Sequence, residues 1–168
     1  MKDIQDLSKD LQKWEKELVN NLIEAQDEVA NEIWQEIYQN ANSNTGQFKL
    51  SIYKTPTELN SDGIIETGFG SNDWVISSSG KMYNLGWLLE TGTSPHLIEP
   101  VPPNKTLHFV IDGKDVFTKR VNHPGTIAYN NFENAINNNH EEYRQKLKEA
   151  INKSIEEIFK WELIYKVY

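Results

Sequence analysis

Residues 107–121 read LHFVIDGKDVFTKRV, and the reading of this stretch decides the strand half of the fold. Leu107, Phe109 and Ile111 alternate with His108 and Val110, the period of two that sends successive side chains to opposite faces of a strand. A second run, Val116 to Val121, follows Asp112-Gly113. Both central positions of a type I′ turn need positive φ, which Asp tolerates and Gly adopts freely, so the spacing predicts a hairpin from Leu107 to Val121.

Upstream of the hairpin, Pro95, Pro100, Pro102 and Pro103 each fix φ and bias the preceding residue away from helix. Leu97, Ile98 and Val101 are interleaved with them, so an ordered extended loop is expected rather than a linker. From Lys81 to Glu90, the residues Met82, Leu85, Leu88 and Leu89 fit a short helix carrying Trp87. Thr91-Gly92-Thr93 closes it, with Gly92 placed as a C-cap glycine. Further upstream, Phe48, Leu50 and Ile52 alternate with Lys49, Ser51 and Tyr53 as a half-buried strand does. Gly63–Phe69 and Trp74–Ser77 read as two more short strands between Gly, Asn and Asp turns, and together these predict an antiparallel meander.

Helices flank this β-rich middle. Ile4, Leu7, Leu11, Trp14 and Leu18 follow alternating three- and four-residue steps, and Leu22, Ala25, Val29, Ile33 and Ile37 continue them after a slip. The pattern predicts one amphipathic helix over residues 3–40. The slip interrupts the heptad, so the helix is expected on a sheet or a neighbouring subunit rather than in a long coiled coil. Asn40 to Gly46 is rich in Asn, Ser and Thr and ends the helix. Downstream of His123-Pro124-Gly125, the residues Tyr129, Phe132, Ile136, Tyr143, Leu147, Ile151, Ile155 and Ile158 share a helical face, with Asn137-Asn138-Asn139 as a candidate break. Trp161, Leu163, Tyr165 and Val167 alternate, as in a short terminal strand or a frayed end. The expected fold is α+β: a small antiparallel sheet with a protruding hairpin, packed against a long N-terminal and a C-terminal helix. At 168 residues and 38% hydrophobic content, one domain is expected, with the N-terminal helix over 1–40, the β-rich core over 41–127 and the helical segment over 128–168.

Composition narrows the function classes. The chain holds 17 Lys and Arg against 25 Asp and Glu, a formal charge of −8. Residues 1–40 carry 4 basic and 10 acidic groups, so most of the excess lies on the first helix. Gripping nucleic acid requires cations that replace phosphate counterions, and no basic run or Arg-rich stripe is present, so direct nucleic-acid binding is not expected. No apolar stretch reaches the roughly 20 residues that span a bilayer, and Met1-Lys2-Asp3 leads into charge rather than a signal-peptide core, so a soluble, unsecreted chain is expected. The absence of cysteine removes disulfides, thiol nucleophiles and Cys-ligated zinc.

The remaining chemistry is sparse. The four histidines, His96, His108, His123 and His140, include no pair at the spacing of His-Glu-x-x-His. A metal-dependent hydrolase would use Glu90, His96 and His123; the plainer reading is that His96 and His123, each beside a proline, tie down loop backbone through their ring nitrogens. Ser77-Ser78-Ser79-Gly80 lacks the Gly-x-Ser-x-Gly elbow, and Gly68-Phe69-Gly70 lacks the further glycine and Lys-Ser/Thr of a phosphate loop, so both read as turns. Five Trp and seven Tyr without neighbouring cations read as core and interface anchors rather than base-stacking platforms. No cofactor, metal or small-molecule substrate is expected.

The order of these features resembles the "gene product ten" tail-component family of the HK-type phages, siphophage neck or tail-completion proteins. Asn44-Thr45-Gly46 followed by Leu50-Ser51-Ile52 is similar to that family's Thr-Gly-x-Leu-x-x-Ser-Ile signature. Tyr83 to Glu90 with Thr91-Gly92-Thr93 is similar to its Tyr-x-x-Tyr-x-Glu-x-Gly-Thr stretch. Pro95-His96, Ile98, Pro100, Pro102, Leu107-His108-Phe109, Asp112-Gly113, Val116-Phe117-Thr118-Lys119 and His123-Pro124-Gly125-Thr126 resemble its proline loop, hairpin and turn. The resemblance covers about residues 40–135, with the expected Leu displaced within Gln47 to Leu50 and the family's Pro-Phe-x-x-Pro absent from Asn130 to Ala135.

The resemblance implies a non-enzymatic virion protein at the head-to-tail neck or in tail completion, made in the host cytoplasm and assembled as a ring with other neck and tail proteins; a tail-tube terminator is the alternative within the class. It places Trp87, Thr91, Gly92, Thr93, His96, Phe109, Asp112, Gly113, Phe117, His123, Pro124 and Gly125 at the assembly interface. An acidic surface formed by Glu24, Asp27, Glu28 and Glu32 would also suit a DNA passage, since it repels the genome rather than holding it.

Overall fold

The helix expected over residues 3–40 runs over Ile4–Asn40 in the computed structural model, which describes residues 4–41, 46–76 and 80–165, the last seven by backbone alone. The chain forms two units: Met1–Asn40, Tyr53–Phe69 and Glu133–Tyr168 make one, and Ala41–Ile52 with Gly70–Phe132 the other.

In the first unit, α1 (Ile4–Asn40) buries Ala25, Val29, Ala30, Ile33 and Ile37, one stripe of a 3.6-residue period. The sequence pattern also included Ile4, Leu7 and Leu11, but these are exposed, Ile4 at 87%. The partner of α1 is another helix, not the expected sheet alone: α5 (His140–Tyr165) runs antiparallel beside it. The direction follows from the contacts. Trp14 Nε1 donates to the Ser154 carbonyl at 3.0 Å, Lys146 Nζ meets Glu28 at 2.8 Å, and Asn138 and Asn139 donate to Glu36 at 2.6 and 2.8 Å. Small residues line the α5 side of the seam, Ala150 and Ser154 both being buried. The Ser154 hydroxyl is satisfied twice, donating to the Ala150 carbonyl and accepting from Asn21 at 2.8 Å, so burial leaves it no unmet polar group.

α4 (Asn131–Asn138) and α5 are separated at Asn139, within the predicted Asn break. The Asn139 side chain donates to the Ala135 carbonyl at 2.8 Å, competing for a helical acceptor as short polar side chains do. The alternating C-terminal residues are helical through Tyr165, which corrects the strand alternative; Val167 lies outside the described residues. Glu156, Glu157, Lys160 and Glu162 favour helix, and no Gly or Pro intervenes to end it.

The strands are β1 (Ile52–Lys54), β2 (Glu58–Leu59), β3 (Ile65–Glu66), β4 (Phe69–Ser71), β5 (Trp74–Ile76), β6 (Met82–Asn84), β7 (His96–Ile98), β8 (Leu107–Ile111), β9 (Lys114–Thr118) and β10 (Val121–His123). They pair as five two-stranded sheets, β1–β4, β2–β3, β5–β6, β7–β10 and β8–β9. The fold class is α+β as expected, but the meander is corrected: two of the ribbons are nested, with β2–β3 inserted between β1 and β4 and β8–β9 between β7 and β10. Among the described residues each strand has one neighbour and therefore one open edge.

Three local predictions change for identifiable reasons. Gln47–Ser51 is a helical turn (α2) rather than a strand; Leu50 N–H donates to Gly46 O at 3.2 Å and the Ser51 hydroxyl to Phe48 O at 2.7 Å. Residues two apart share a strand face but diverge on a helix, and accordingly Phe48 is 3% exposed while Leu50 is 82% exposed. Met82–Asn84 is a strand rather than the first turn of a helix. Asn84 ends it by accepting from Trp87 N–H at 3.0 Å as the N-cap of α3 (Leu85–Thr91). The predicted strand over Gly63–Phe69 is interrupted: Gly63 stands at φ 78° in the turn before β3, and Gly68 N–H donates to Thr55 Oγ1 at 2.7 Å.

Within the first unit a polar chain fastens the β2–β3 ribbon to the helices. Tyr143 donates to Gln26 Oε1 at 3.1 Å, and the Gln26 amide donates to Ile65 O and Thr67 Oγ1. Thr67 and Thr57 hydroxyls share a 2.6 Å bond, Thr57 donates to Asp27 at 2.7 Å, and Lys54 pairs with the same carboxylate. Asp27 is therefore committed within the fold and is not a free surface acid.

Candidate interaction surface

The second unit contains every residue named from the sequence for the assembly interface, and all but Trp87 fall in two groups. The first is a clasp of backbone. α3 ends at Gly92, the C-cap position predicted for it, with φ 71° and ψ −177°, and a Cβ there would stand 2.5 Å from Thr126 O. Thr93 and Thr126 exchange two backbone bonds of 2.9 and 3.1 Å. Gly125 stands at φ 90°, and a Cβ there would meet Thr93 O at 2.2 Å. Thr91 turns its hydroxyl back to the Trp87 carbonyl at 2.8 Å, and Pro124 continues the turn after β10.

Across β7–β10 the register sets His96 opposite His123, with ring centroids 5.0 Å apart. The ring nitrogens tie loop backbone as expected: His96 Nδ1 donates to Ser94 O at 2.9 Å, and His123 Nδ1 accepts from Gly125 N–H at 3.1 Å. The hydrolase alternative needed Glu90 with these two rings. Both Glu90 oxygens instead accept from Phe132 N–H, at 3.0 and 3.2 Å, at the start of α4. The two histidines also carry different tautomers. His96, protonated on Nδ1, keeps a lone pair on Nε2, whereas the neutral His123 that accepts at Nδ1 is protonated on Nε2 and has no lone pair to share there. Among the described residues no three His, Asp or Glu converge as a ligand set.

The second group is the arm, β8–β9. Asp112 at φ 50° and Gly113 at φ 75° form the predicted turn. The arm's second strand is shorter than expected: Thr118 Oγ1 accepts from Arg120 N–H and donates to Arg120 O, a local turn that ends β9 and frees Val121 to begin β10. The register pairs Leu107 with Thr118, Phe109 with Val116 and Ile111 with Lys114 on one face, and His108 with Phe117 and Val110 with Asp115 on the other. Phe109 is half-buried on the first face. The second face is open: Phe117 is 65% and Val110 61% exposed. His108 stacks on Phe117 with centroids 4.7 Å apart and bonds Asp115 at 2.7 Å, so the face is ordered before any partner reaches it.

Sequence reasoning missed a third surface. β5–β6 pairs Trp74 with Asn84, Val75 with Tyr83 and Ile76 with Met82, and every one of these side chains except Asn84 is exposed, Ile76 at 70%. The signal was the unbroken apolar run Trp74-Val75-Ile76, which reads equally as a strand buried on both faces. Trp87, a named candidate, is also largely exposed. Asn44, Thr45 and the Ser77-Ser78-Ser79 turn lie outside the described residues.

Lys54, then Thr57, hold the Asp27 carboxyl below its ordinary range by hydrogen bonding. Glu32 is pushed up, first by desolvation and then by the neighbouring Glu142 carboxyl, while the hydrogen bond to Glu28 raises Lys146. Glu28 and Glu32 thus share one patch with Glu142 and a single cation.

Comparison with protein-family models, curated proteins and solved structures gives no match for this chain. Among the described residues no helix is long and apolar enough to cross a membrane.

Proposed function

We propose that this chain is a non-enzymatic structural protein of a long-tailed phage virion, acting at the head-to-tail neck or in tail completion and assembling as a ring with copies of itself and with other neck and tail proteins. The observation that carries the reading is the arm. A lone two-stranded ribbon is marginal in water, yet this one presents Phe117 and Val110 to solvent on a pre-ordered face. Such a surface gains stability by burial against a partner. The order of the motifs between Thr45 and Thr126 directs the reading to the phage neck, and the commitment of Glu90, His96 and His123 to backbone supports a structural role for the clasp.

The test is localisation. Purified virions of the phage or induced prophage encoding this chain are expected to contain it, with labelled antibody marking the neck or tail end under the electron microscope. A particle that lacks the chain refutes the reading. Gene order beside a major tail protein would separate the tail-terminator alternative from a neck role.

A further inference from the structure

We propose that the β8–β9 arm of one copy docks on the acidic second half of α1 in a neighbouring copy, its lysines facing Glu24, Glu28 and Glu32. The inference rests on the assembly reading and gives that assembly its interface. The arm and the bases flanking it carry a positive excess in an acidic protein: Lys105, Lys114, Lys119 and Arg120 stand exposed against Asp112 and Asp115, and Asp115 is held by His108. None of the four cations has an ion pair among the described residues. Residues 17–40 of α1 are the opposite, with Glu17, Glu24, Asp27, Glu28, Glu32 and Glu36 and no Lys or Arg.

The fold supplies this half of α1 with too few cations. Lys54 serves Asp27 and Lys146 serves Glu28, while Glu24 has no ion pair among the described residues and Glu32 faces the Glu142 carboxyl. Glu24, Glu28 and Glu32 recur every fourth residue, so they form one stripe about 12 Å long at 1.5 Å per residue. Lys114 opens β9 and Lys119 follows its end, so flexible side chains at both ends of the strand can reach the stripe. Like charges disfavour contact between two such stripes, whereas arm to helix is complementary. That contact uses different surfaces on the two copies, so repetition is head-to-tail and closes into a ring when the rotation per copy allows.

The test is sedimentation velocity of the full chain at about 0.1 M and about 1 M NaCl, where the screening length falls from about 10 Å to about 3 Å. The association constant is expected to fall at least about tenfold in high salt. Lys114→Glu with Lys119→Glu, and separately Glu24→Lys with Glu32→Lys, should each weaken association about tenfold at low salt. The chain carrying all four changes should return to within about threefold of the parent. Circular dichroism checks that each variant remains folded. Oligomers indifferent to salt and to both reversals overturn the docking while leaving the assembly reading intact. Failure of the fourfold variant to recover, or a chain monomeric in every condition, also overturns it; the virion reading falls separately, on the composition of the particle.

Discussion

The α1–α5 pair and the arm are held by different means. Between the helices, burial and polar bonding coincide: Ile37 and Val29 are nearly inaccessible, and the fully buried hydroxyl of Ser154 has both a donor and an acceptor. In the arm two strands pair through five registers and a two-residue turn, but the side chains on one face touch water. Backbone order without side-chain burial makes a presented surface; burial with satisfied polar groups makes a scaffold. The difference can be broken from either side.

The largest effect is expected in the helix pair. Ile37→Ala removes a fully buried side chain and should cost about 3 kcal/mol, measured by urea unfolding. An unfolding midpoint unchanged from the parent would contradict a core centred there. Gly125→Ala should come next, at about 2 kcal/mol, because the methyl group meets Thr93 O and φ is positive. Its local signature is faster hydrogen exchange at Thr93 and Thr126.

A smaller effect concerns pH. The stability that Asp27 contributes is present above its ordinary pKa of 3.8 and is lost as pH falls through its lowered folded value. Glu32 has the opposite sign: its contribution is present below its ordinary 4.5 and is lost as pH rises through its raised folded value. Glu32→Gln should therefore raise the melting temperature at neutral pH and not below pH 4.5; a variant destabilised at neutral pH would refute the carboxylate crowding. The smallest change in stability is expected from Phe117→Ala, within about 0.5 kcal/mol because the ring is exposed, while self-association weakens. A large loss of stability there would show the arm to be core.

Much of this contrast is legible in the sequence where the determinants are local. The period of α1, the Asn break at 137–139, the Asp112-Gly113 turn and the Gly92 cap each depend on residues within a few positions of one another. The predictions that changed depended on what lay elsewhere. Phe48, Leu50 and Ile52 fit a strand pattern until Gly46 and Ser51 supply the bonds of a helical turn. Met82 fits a helix pattern until β5 offers it a partner strand. Period-two and period-3.6 patterns are indistinguishable over so few residues, and the available partner then decides.

Side-chain period and backbone sterics suffice for the long helices, the hairpin and the positive φ of Gly92 and Gly113. That α1 pairs with α5, that His96 meets His123 across a register and that Glu90 caps α4 instead of joining them are tertiary outcomes. These outcomes join residues up to 140 positions apart, and a pairing between distant segments is selected by complementary burial and hydrogen bonding rather than by local preference. The same holds for exposure: an apolar run such as Trp74-Val75-Ile76 looks like core until the fold leaves it without a covering face.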